Sequence, residues 1–343
     1  MRENMIAKIT QKMIAASEGS TRDINHFLKV WSYARTIGRL EGLDERTQFI
    51  LEATAVVHDI ACPSLRARFG TADGKRQEEE GPALVYDFYK DLDIPTEIVD
   101  RIAYLVGHHH TYTGVDGPDH RILLEADYLV NAEEGGDSLK KISRAYAGFF
   151  RTESGRALLK DRFFSRVDAP MTIETAKEED LREIYDFYNT VIASFGEHPY
   201  CPGWRKDVYP DMAMIKEAIG EGALMVGRIG GMTASAMVLN HQQNPSYLDY
   251  PWPEDLKEEE ISVLHLLAVH PLLAGKGLAK VMVDHAISTC RETGQKSLRL
   301  DVIKGNLPAE HLYPAMGFTY LTTMPMYYVD TGWTDFLLYE LKL

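Results

Sequence analysis

The chain has 343 residues, of which 45% are apolar, and it carries a formal net charge of −14. This length predicts two domains, and the apolar fraction is typical of a folded protein and excludes a largely disordered one. A surface this acidic argues against nucleic acid as the main partner, because neutralising phosphates requires a basic surface.

The N-terminal segment, residues 1–19, alternates charged and apolar residues and predicts an amphipathic surface helix, unlike a signal peptide. No window approaches the ~18 uncharged apolar residues that would predict a membrane span, so we expect no membrane partner. The three cysteines, Cys62, Cys201 and Cys290, are far apart and lack zinc-ribbon spacing. They predict reduced thiols in a cytoplasmic protein.

Helical periodicity dominates as far as about residue 165. The predicted helical segments are residues 23–41, 44–60, 80–91, 95–108, 120–134 and 137–165. A seam rich in small residues follows, and beyond it strand-like runs alternate with helical patterns. We therefore predict two domains: an all-α domain over residues 1–166 and an α/β domain over residues 167–343. The second part holds 14 Lys and Arg against 24 Asp and Glu, so residues 169–343 carry most of the negative charge.

Four polar residues of the first part lie where helical periodicity predicts apolar core: His26, His58, Asp59 and Asp127. Each has an ordinary explanation when taken alone, such as a hydrogen-bonded core histidine, a helix-end aspartate or an arginine partner. Burying an unpaired carboxylate is costly. Taken together, the two histidines and two aspartates could offset this cost by sharing a divalent cation.

The order His26, His58-Asp59, Asp127 resembles the H…HD…D pattern of the HD-domain metal-dependent phosphohydrolases, over about residues 20–135. The resemblance implies an all-α HD-type helical bundle whose four ligands hold Mn, Fe, Mg, Co or Ni and whose substrates are nucleotides or other phosphate esters. His108, His109 and His110 could form a solvated loop end, or one of them could contact the phosphate or a metal; the candidates for this contact are His109 and His110. Gln77 stands where two-metal members have histidine, so a second metal would depend on Glu80 or His109.

In the second part, residues 263–287 predict a strand, a turn with Gly275 and Gly277, and a helix. The free amides and dipole at such a helix start can bind an anion, although a Gly-x-Gly segment can also form only a tight turn. Further on, "LRLDVIKGNLPAEHLYPAMGF" predicts a strand followed by a helix.

These two segments together resemble the GNAT family of acyl-CoA-dependent N-acyltransferases, over about residues 171–343. The resemblance implies a mixed, mostly antiparallel sheet, acetyl-CoA as cofactor and an amine as acceptor. Tyr313 would protonate the departing thiolate, or it could simply pack in the core. Ala274 stands where the family usually has Arg or Gln, which removes one phosphate contact. The residues implied to contact coenzyme A are Ala268, Val269, Gly275, Lys276, Gly277, Leu278, Ala279 and Asn306.

The general base is less defined, and the candidates are His265, on the strand, and Glu260, just before it. Residues 195–211 lie where such domains shape the acceptor pocket, and their aromatic residues could line that pocket or belong to the core. These aromatic residues are Tyr200, Trp204 and Tyr209.

The leading hypothesis is a bifunctional enzyme that joins a phosphohydrolase acting on a small phosphate ester to an acetyltransferase acting on a small-molecule or protein amine. In the alternative, the HD domain binds a nucleotide without hydrolysing it and regulates the transferase. A third hypothesis treats the second domain as an acyl-CoA-binding module without activity. The sequence is compatible with a homo-oligomer and does not specify one.

Overall fold

The computed structural model describes residues 2–167, 170–196 and 202–343. The chain divides into two compact units, Met1–Arg166 and Val167–Leu343, which are described separately below. None of the helices in these described ranges is both long enough and apolar enough to cross a membrane.

The first unit is helical, and its described residues contain no strand, as predicted. Its helices are α1 (Arg2–Ala16), α2 (Thr21–Leu40), α3 (Glu45–Ala55), α4 (Cys62–Phe69), α5 (Gly74–Tyr89), α6 (Thr96–Val106), α7 (Pro118–Glu134), α8 (Leu139–Gly148) and α9 (Glu153–Phe163). Helix α2 packs against α7 and α3, and their contact buries Val30, Ile37, Leu51 and Leu123 completely. Burying a side chain of this kind stabilises the fold by about 1.5–3 kcal/mol.

Two predicted helices are broken in the structure. The segment predicted over residues 44–60 ends at Ala55, and turns occupy residues 56–61 before α4 begins. Pro63 lies in the first turn of α4, where the N–H that it lacks is not needed, and it could not donate to the Asp59 carbonyl oxygen in a helix continued through this segment. His58 and Asp59 therefore lie in a turn between two helices and not on the helix predicted over residues 44–60, although His58 is buried as expected.

The segment predicted over residues 137–165 is divided into α8 and α9. The buried carboxylate of Glu125 accepts hydrogen bonds from the backbone N–H groups of Arg151 (2.6 Å) and Thr152 (3.1 Å) at this corner. Thr152 also caps α9 by accepting the Gly155 N–H at 3.0 Å. A distant side chain thus satisfies the amides that the interrupted helix leaves open.

Helix α1 is an amphipathic surface helix, as predicted: Ile6, Ile9 and Met13 are buried against α3, and most of its other described residues are exposed. The apolar face of α1 therefore covers part of the core of the first unit.

The second unit is built on a mixed sheet of seven strands in the order β1-β2-β3-β4-β5-β7-β6. The strands are β1 (Thr172–Thr175), β2 (Leu224–Ile229), β3 (Met232–Asn240), β4 (Ile261–Val269), β5 (Ser297–Ile303), β6 (Thr319–Tyr328) and β7 (Gly332–Lys342). All pairs are antiparallel except β4 with β5, so the predicted mixed, mostly antiparallel sheet is confirmed.

Helices cover both faces of this sheet. They are α10 (Leu181–Phe195), α11 (Met212–Gly220), α12 (Leu278–Glu292) and α13 (Leu307–Ala315). Successive residues of β3 point to opposite faces, so Ala236 and Val238 pack with α10 and α11 whereas Met237 packs with α12. The two faces form separate apolar cores, and the ends of β4 and β5 lie between them.

Candidate functional site

The central feature of the second unit is a separation between β4 and β5. These parallel strands pair only at Ile261–Val263 with Ser297–Arg299, and no further pairing joins the described residues beyond that point. On its other edge, β4 contains a bulge in which Met237 of β3 faces both Leu266 and Leu267. Leu266 has φ 54°, and its carbonyl oxygen accepts a hydrogen bond from the Tyr188 hydroxyl at 2.8 Å. The separated strands leave backbone groups of β4 facing a cleft.

This cleft has a volume of about 540 Å³. Its walls include the following predicted residues: His265, Ala268, Val269, Gly275, Gly277, Leu278, Ala279, Asn306 and Tyr313. Lys276 lies in the same loop but does not line the cleft, whereas Lys280, in the first turn of α12, does.

The N-terminus of α12 closes one end of the cleft. Gly277 precedes the helix with φ 76°, a conformation that non-glycine residues rarely adopt. Because the first amides of a helix have no acceptor inside it, those of Leu278 and Ala279 are suited to an anion. No side chain of the described residues caps this terminus.

Tyr313 lies on α13 with its ring packed against Phe318 (ring centroids 5.5 Å apart) and with 7% of its surface exposed. Burial raises the pKa of its hydroxyl, and the nearby Asp301 carboxylate adds to the rise. The hydroxyl therefore stays protonated at neutral pH, as a proton donor requires.

The two predicted bases have different surroundings. The Nε2–H of His265 donates to the carbonyl oxygen of Gln242 at 3.0 Å, and burial lowers the pKa of His265 to about 4. Glu260 does not reach the cleft. It directly precedes β4 and forms an ion pair with Lys296 at 2.6 Å, at the end where β4 and β5 are still paired, whereas the cleft lies at the separated end. The structure thus brings only His265 into the cleft.

Trp204 and Tyr209 line the cleft, while Tyr200 lies outside the described residues. Asp301 and Asp330 also line it, and neither was identified from the sequence. The signal for Asp301 was a carboxylate in the otherwise apolar end of β5, "LDVI".

The comparisons with known proteins concern this second unit. A family model described as acetyltransferase (GNAT) family matches residues 180–318. The second unit contains a GNAT-family domain. Streptothricin acetyltransferase from Streptomyces lavendulae is 38% identical over 69 residues, which are 20% of this chain and 33% of that protein. The chain therefore spans only a third of this curated relative.

Solved structures align with about half of the chain. An acetyltransferase of the GNAT family from Listeria monocytogenes 4b F2365 is 23% identical with a TM-score of 0.41, over 50% of this chain and 95% of its own. The protein yncA from Salmonella typhimurium, solved with acetyl-CoA, is 19% identical with a TM-score of 0.40, over 51% and 95%.

The first unit contains a separate cluster formed by the four predicted ligand residues. His26 from α2 and Asp127 from α7 meet His58 and Asp59 from the turn after α3. The His26 Nε2 lies 3.2 Å from the His58 Nε2, and the Asp127 Oδ1 lies 3.4 Å and 3.3 Å from these two nitrogens. The Asp59 carboxylate is 3.6 Å from His26 and 3.7 Å from His58.

The hydrogen bonds of the two imidazoles make this cluster a candidate cation site. The Nδ1–H of His58 donates to the Ala55 carbonyl oxygen (3.0 Å), and the Nδ1–H of His26 donates to Glu134 (3.1 Å). In the neutral rings, both Nε2 lone pairs then point at each other and at Asp127. Acceptors this close repel unless a proton or a cation lies between them, and imidazole and carboxylate suit a divalent metal.

Without a metal, this surplus of acceptors attracts a proton. Burial by itself lowers the pKa of His26, but the hydrogen bond to Asp127 and the charge of Asp59 outweigh it and raise that pKa to about 9. A bound metal would displace this proton. The residues present therefore fit a divalent cation.

The three consecutive histidines after α6, His108, His109 and His110, make different contacts. The Nδ1–H of His109 donates to the Val106 carbonyl oxygen (2.7 Å), and its Nε2 lies 3.1 Å from Asp59. His110 has its Nε2 3.3 Å from the Gln77 side-chain oxygen and could join Asp59 and His109 around a second cation. His108 stacks on Tyr104, with ring centroids 4.1 Å apart.

The structure also shows which of the residues considered for a second metal lie near the cluster. Gln77 is buried and donates its side-chain N–H to the Ala72 carbonyl oxygen at 3.1 Å. Glu80 forms an ion pair with Arg68. Of Glu80 and His109, only His109 faces the cluster.

Proposed function

We propose that the GNAT domain transfers an acetyl group from acetyl-CoA to the amine of a small molecule or protein. The observation that carries this proposal is the cleft between the separated ends of β4 and β5, with a helix N-terminus at one end and a protonated tyrosine in its wall. A long polar arm that ends in phosphates fits such a cleft, because exposed strand groups can pair with its amides.

In this proposal, the backbone of Ala268 and Val269 pairs with the pantetheine arm, and Asn306 lies beside it. The amides from Gly275 through Ala279 hold the pyrophosphate, and Lys276 and Lys280 add positive charge nearby. Tyr313 gives its proton to the departing thiolate. His265 remains a candidate for the base, and Glu260 would need a rearrangement to reach the cleft.

A direct test is thiol release from acetyl-CoA with a panel of amines, compared with acetyl-CoA alone. Amine-dependent release with formation of the acetylated amine supports the proposal. A folded protein that binds acetyl-CoA and acetylates no amine would favour the module without activity.

Gly277→Val is expected to weaken acetyl-CoA binding about tenfold. A β-branched residue at φ 76° costs roughly 1–2 kcal/mol, and relief of this strain would turn the phosphate-binding amides away. Open space surrounds the position where the Cβ would lie, so the cost comes from the backbone. Equilibrium titration of acetyl-CoA measures the effect.

Gly294→Val is the matched control, because Gly294 has φ 75° and open space at the opposite end of α12. It should lose similar stability and keep its affinity for acetyl-CoA. Equal losses of affinity in the two variants would contradict the proposed role of the Gly277 loop.

For the first unit we propose a metal-dependent phosphohydrolase of the HD type, acting on a nucleotide or another small phosphate ester. This proposal rests on the convergence of the His26 and His58 Nε2 atoms with the carboxylate oxygens of Asp59 and Asp127. A divalent cation held there would polarise a phosphoryl oxygen and lower the pKa of a bound water. His109 and His110 would contact the phosphate or a second cation.

The alternative is that this unit binds a nucleotide without hydrolysing it and regulates acetyl transfer. Phosphate release from nucleotides and sugar phosphates, with Mn, Mg, Fe(II), Co and Ni supplied in turn, decides between them. Metal-dependent release supports hydrolysis. A nucleotide that changes the acetyl-transfer rate and is recovered intact supports the sensor.

A further inference from the structure

The part of the cleft beyond the proposed acetyl-CoA site contains two carboxylates, and this inference rests on the acetyltransferase proposed above. Asp301 lies on β5, where that strand has separated from β4, and Asp330 lies in the turn between β6 and β7. Both residues line the cleft.

Asp301 is held by two phenols. Its Oδ2 accepts hydrogen bonds from the hydroxyls of Tyr247 at 2.9 Å and Tyr328 at 2.7 Å. Burial raises the pKa of this carboxyl above its usual range, and the two hydrogen bonds limit the rise. The carboxylate is therefore fixed in position and is a stronger base than an exposed aspartate.

Asp330 is 8% exposed, and its Oδ1 has no hydrogen-bond partner among the described residues. Burial raises its pKa, while the backbone amides of Asp330 and Thr331 and the charge of Arg205 partly offset the rise. Arg205 donates to the Val329 carbonyl oxygen at 3.3 Å and does not line the cleft. A buried carboxylate oxygen without a partner is costly, so this atom is suited to a ligand that supplies a donor.

Aromatic rings connect the two carboxylates. Tyr209 has its ring centroid 5.9 Å from that of Tyr328 and 6.5 Å from that of Trp204. Burial raises the pKa of Tyr209, and the charges of both Asp301 and Asp330 add to the rise, which places both within electrostatic reach of its ring. The faces of such rings attract cations.

Positive and negative side chains lie at different ends of the cleft. Lys280, at the start of α12, is the only lysine or arginine among the described residues that line it, and it lies at the proposed phosphate end. His265 is uncharged at neutral pH because burial lowers its pKa to about 4. The acceptor end is therefore negative and aromatic.

We propose that the acceptor is a small organic dication, with its reacting ammonium at Asp301 and its second positive charge at Asp330. Asp301 takes a proton from the ammonium, and the free amine attacks the thioester carbonyl carbon. A C–N bond forms, the C–S bond breaks, and the thiolate takes the proton of Tyr313. The second nitrogen proton leaves to solvent, and the proton held by Asp301 is released while Tyr313 regains one from solvent. Overall, one ammonium and acetyl-CoA give the acetamide, free coenzyme A and one proton. Asp301 is thus a catalytic base that sequence reasoning did not identify.

Calorimetric titration of 1,4-diaminobutane into protein saturated with coenzyme A tests the binding site without turnover. We expect saturable binding that weakens about tenfold or more in Asp330→Asn, which removes a charge without changing the shape of the side chain. The matched control, Asp284→Asn, changes an exposed residue of α12 and should bind as the wild type does. The zwitterion 4-aminobutanoate, which replaces one amine by a carboxylate, should bind at least tenfold more weakly.

The catalytic step has its own readout. Asp301→Asn can still accept both phenol hydrogen bonds through its amide oxygen, so we expect the fold and the acetyl-CoA affinity to remain. Its kcat for diamine acetylation should fall about 100-fold. Unchanged kcat in this variant would overturn the base assignment.

Three results would overturn the proposed acceptor. The diamine could fail to bind, it could bind equally to the wild type and to Asp330→Asn, or 4-aminobutanoate could bind as tightly as the diamine. If coenzyme A binds in these cases, the acetyltransferase proposal survives. Failure of coenzyme A itself to bind would instead remove the proposed function on which the inference rests.

Discussion

Asp127→Asn is expected to lower metal-dependent phosphate release from the preferred phosphate ester by on the order of 100-fold or more. Asp127 is 2% exposed, and its Oδ1 lies within 3.4 Å of both ligand imidazoles. Loss of groups that only orient metal ligands costs 10–100-fold, so loss of a ligand charge should cost at least as much. Rates at saturating metal, together with metal content after dialysis, measure the effect.

This substitution should preserve the fold. The Asp127 Oδ1 accepts a hydrogen bond from the Asn131 side chain at 2.8 Å, and an asparagine oxygen can accept the same bond. Asp87→Asn makes the same chemical change on the exposed surface of α5 and should leave phosphate release unaltered. Wild-type rates and metal content in Asp127→Asn would show that the cluster does not hold the functional metal.

Tyr313→Phe is expected to lower the kcat of acetyl transfer about 100-fold and to change the acetyl-CoA affinity little. The phenol is protonated at neutral pH and lies in the wall of the cleft, and a positioned acid contributes roughly 10²–10⁴-fold. Phenylalanine keeps the packing against Phe318, so the loss should fall on the chemical step. Steady-state kinetics with a fixed amine separates kcat from KM.

Tyr320→Phe provides the comparison, because the Tyr320 side chain is half exposed on β6 and outside the cleft. It should retain wild-type kcat. If Tyr313→Phe also retained it, Tyr313 would be a packed core residue and another group would protonate the thiolate.

The sequence predicted secondary-structure content well and helix ends less well. Apolar periodicity indicated the helices of the first unit, but it could not show that Glu125 satisfies the amides of Arg151 and Thr152 in the corner between α8 and α9. Pro63 was a local signal that no helix runs unbroken from residue 59 through residue 63. Helix interiors follow from periodicity, whereas their ends depend on single capping contacts.

The residues of the candidate sites also divide into those with a pattern in the sequence and those that only the tertiary fold brings into place. His26, His58, Asp59 and Asp127 were predicted by their polar identity in apolar surroundings, and the structure brings them together. Asp330 had no such pattern, because its burial depends on where the turn between β6 and β7 lies in the folded unit, beside the cleft. Glu260 is close to His265 in sequence, but β4 carries the two residues to different places.

We propose that the two units carry separate chemistries. The test is to measure phosphate release and acetyl transfer side by side on Asp127→Asn and Tyr313→Phe. We expect Asp127→Asn to lose phosphate release and keep acetyl transfer, and Tyr313→Phe to do the reverse. Loss of acetyl transfer in a folded Asp127→Asn protein would contradict this separation, and so would the absence of both activities in a wild-type protein that binds metal and acetyl-CoA.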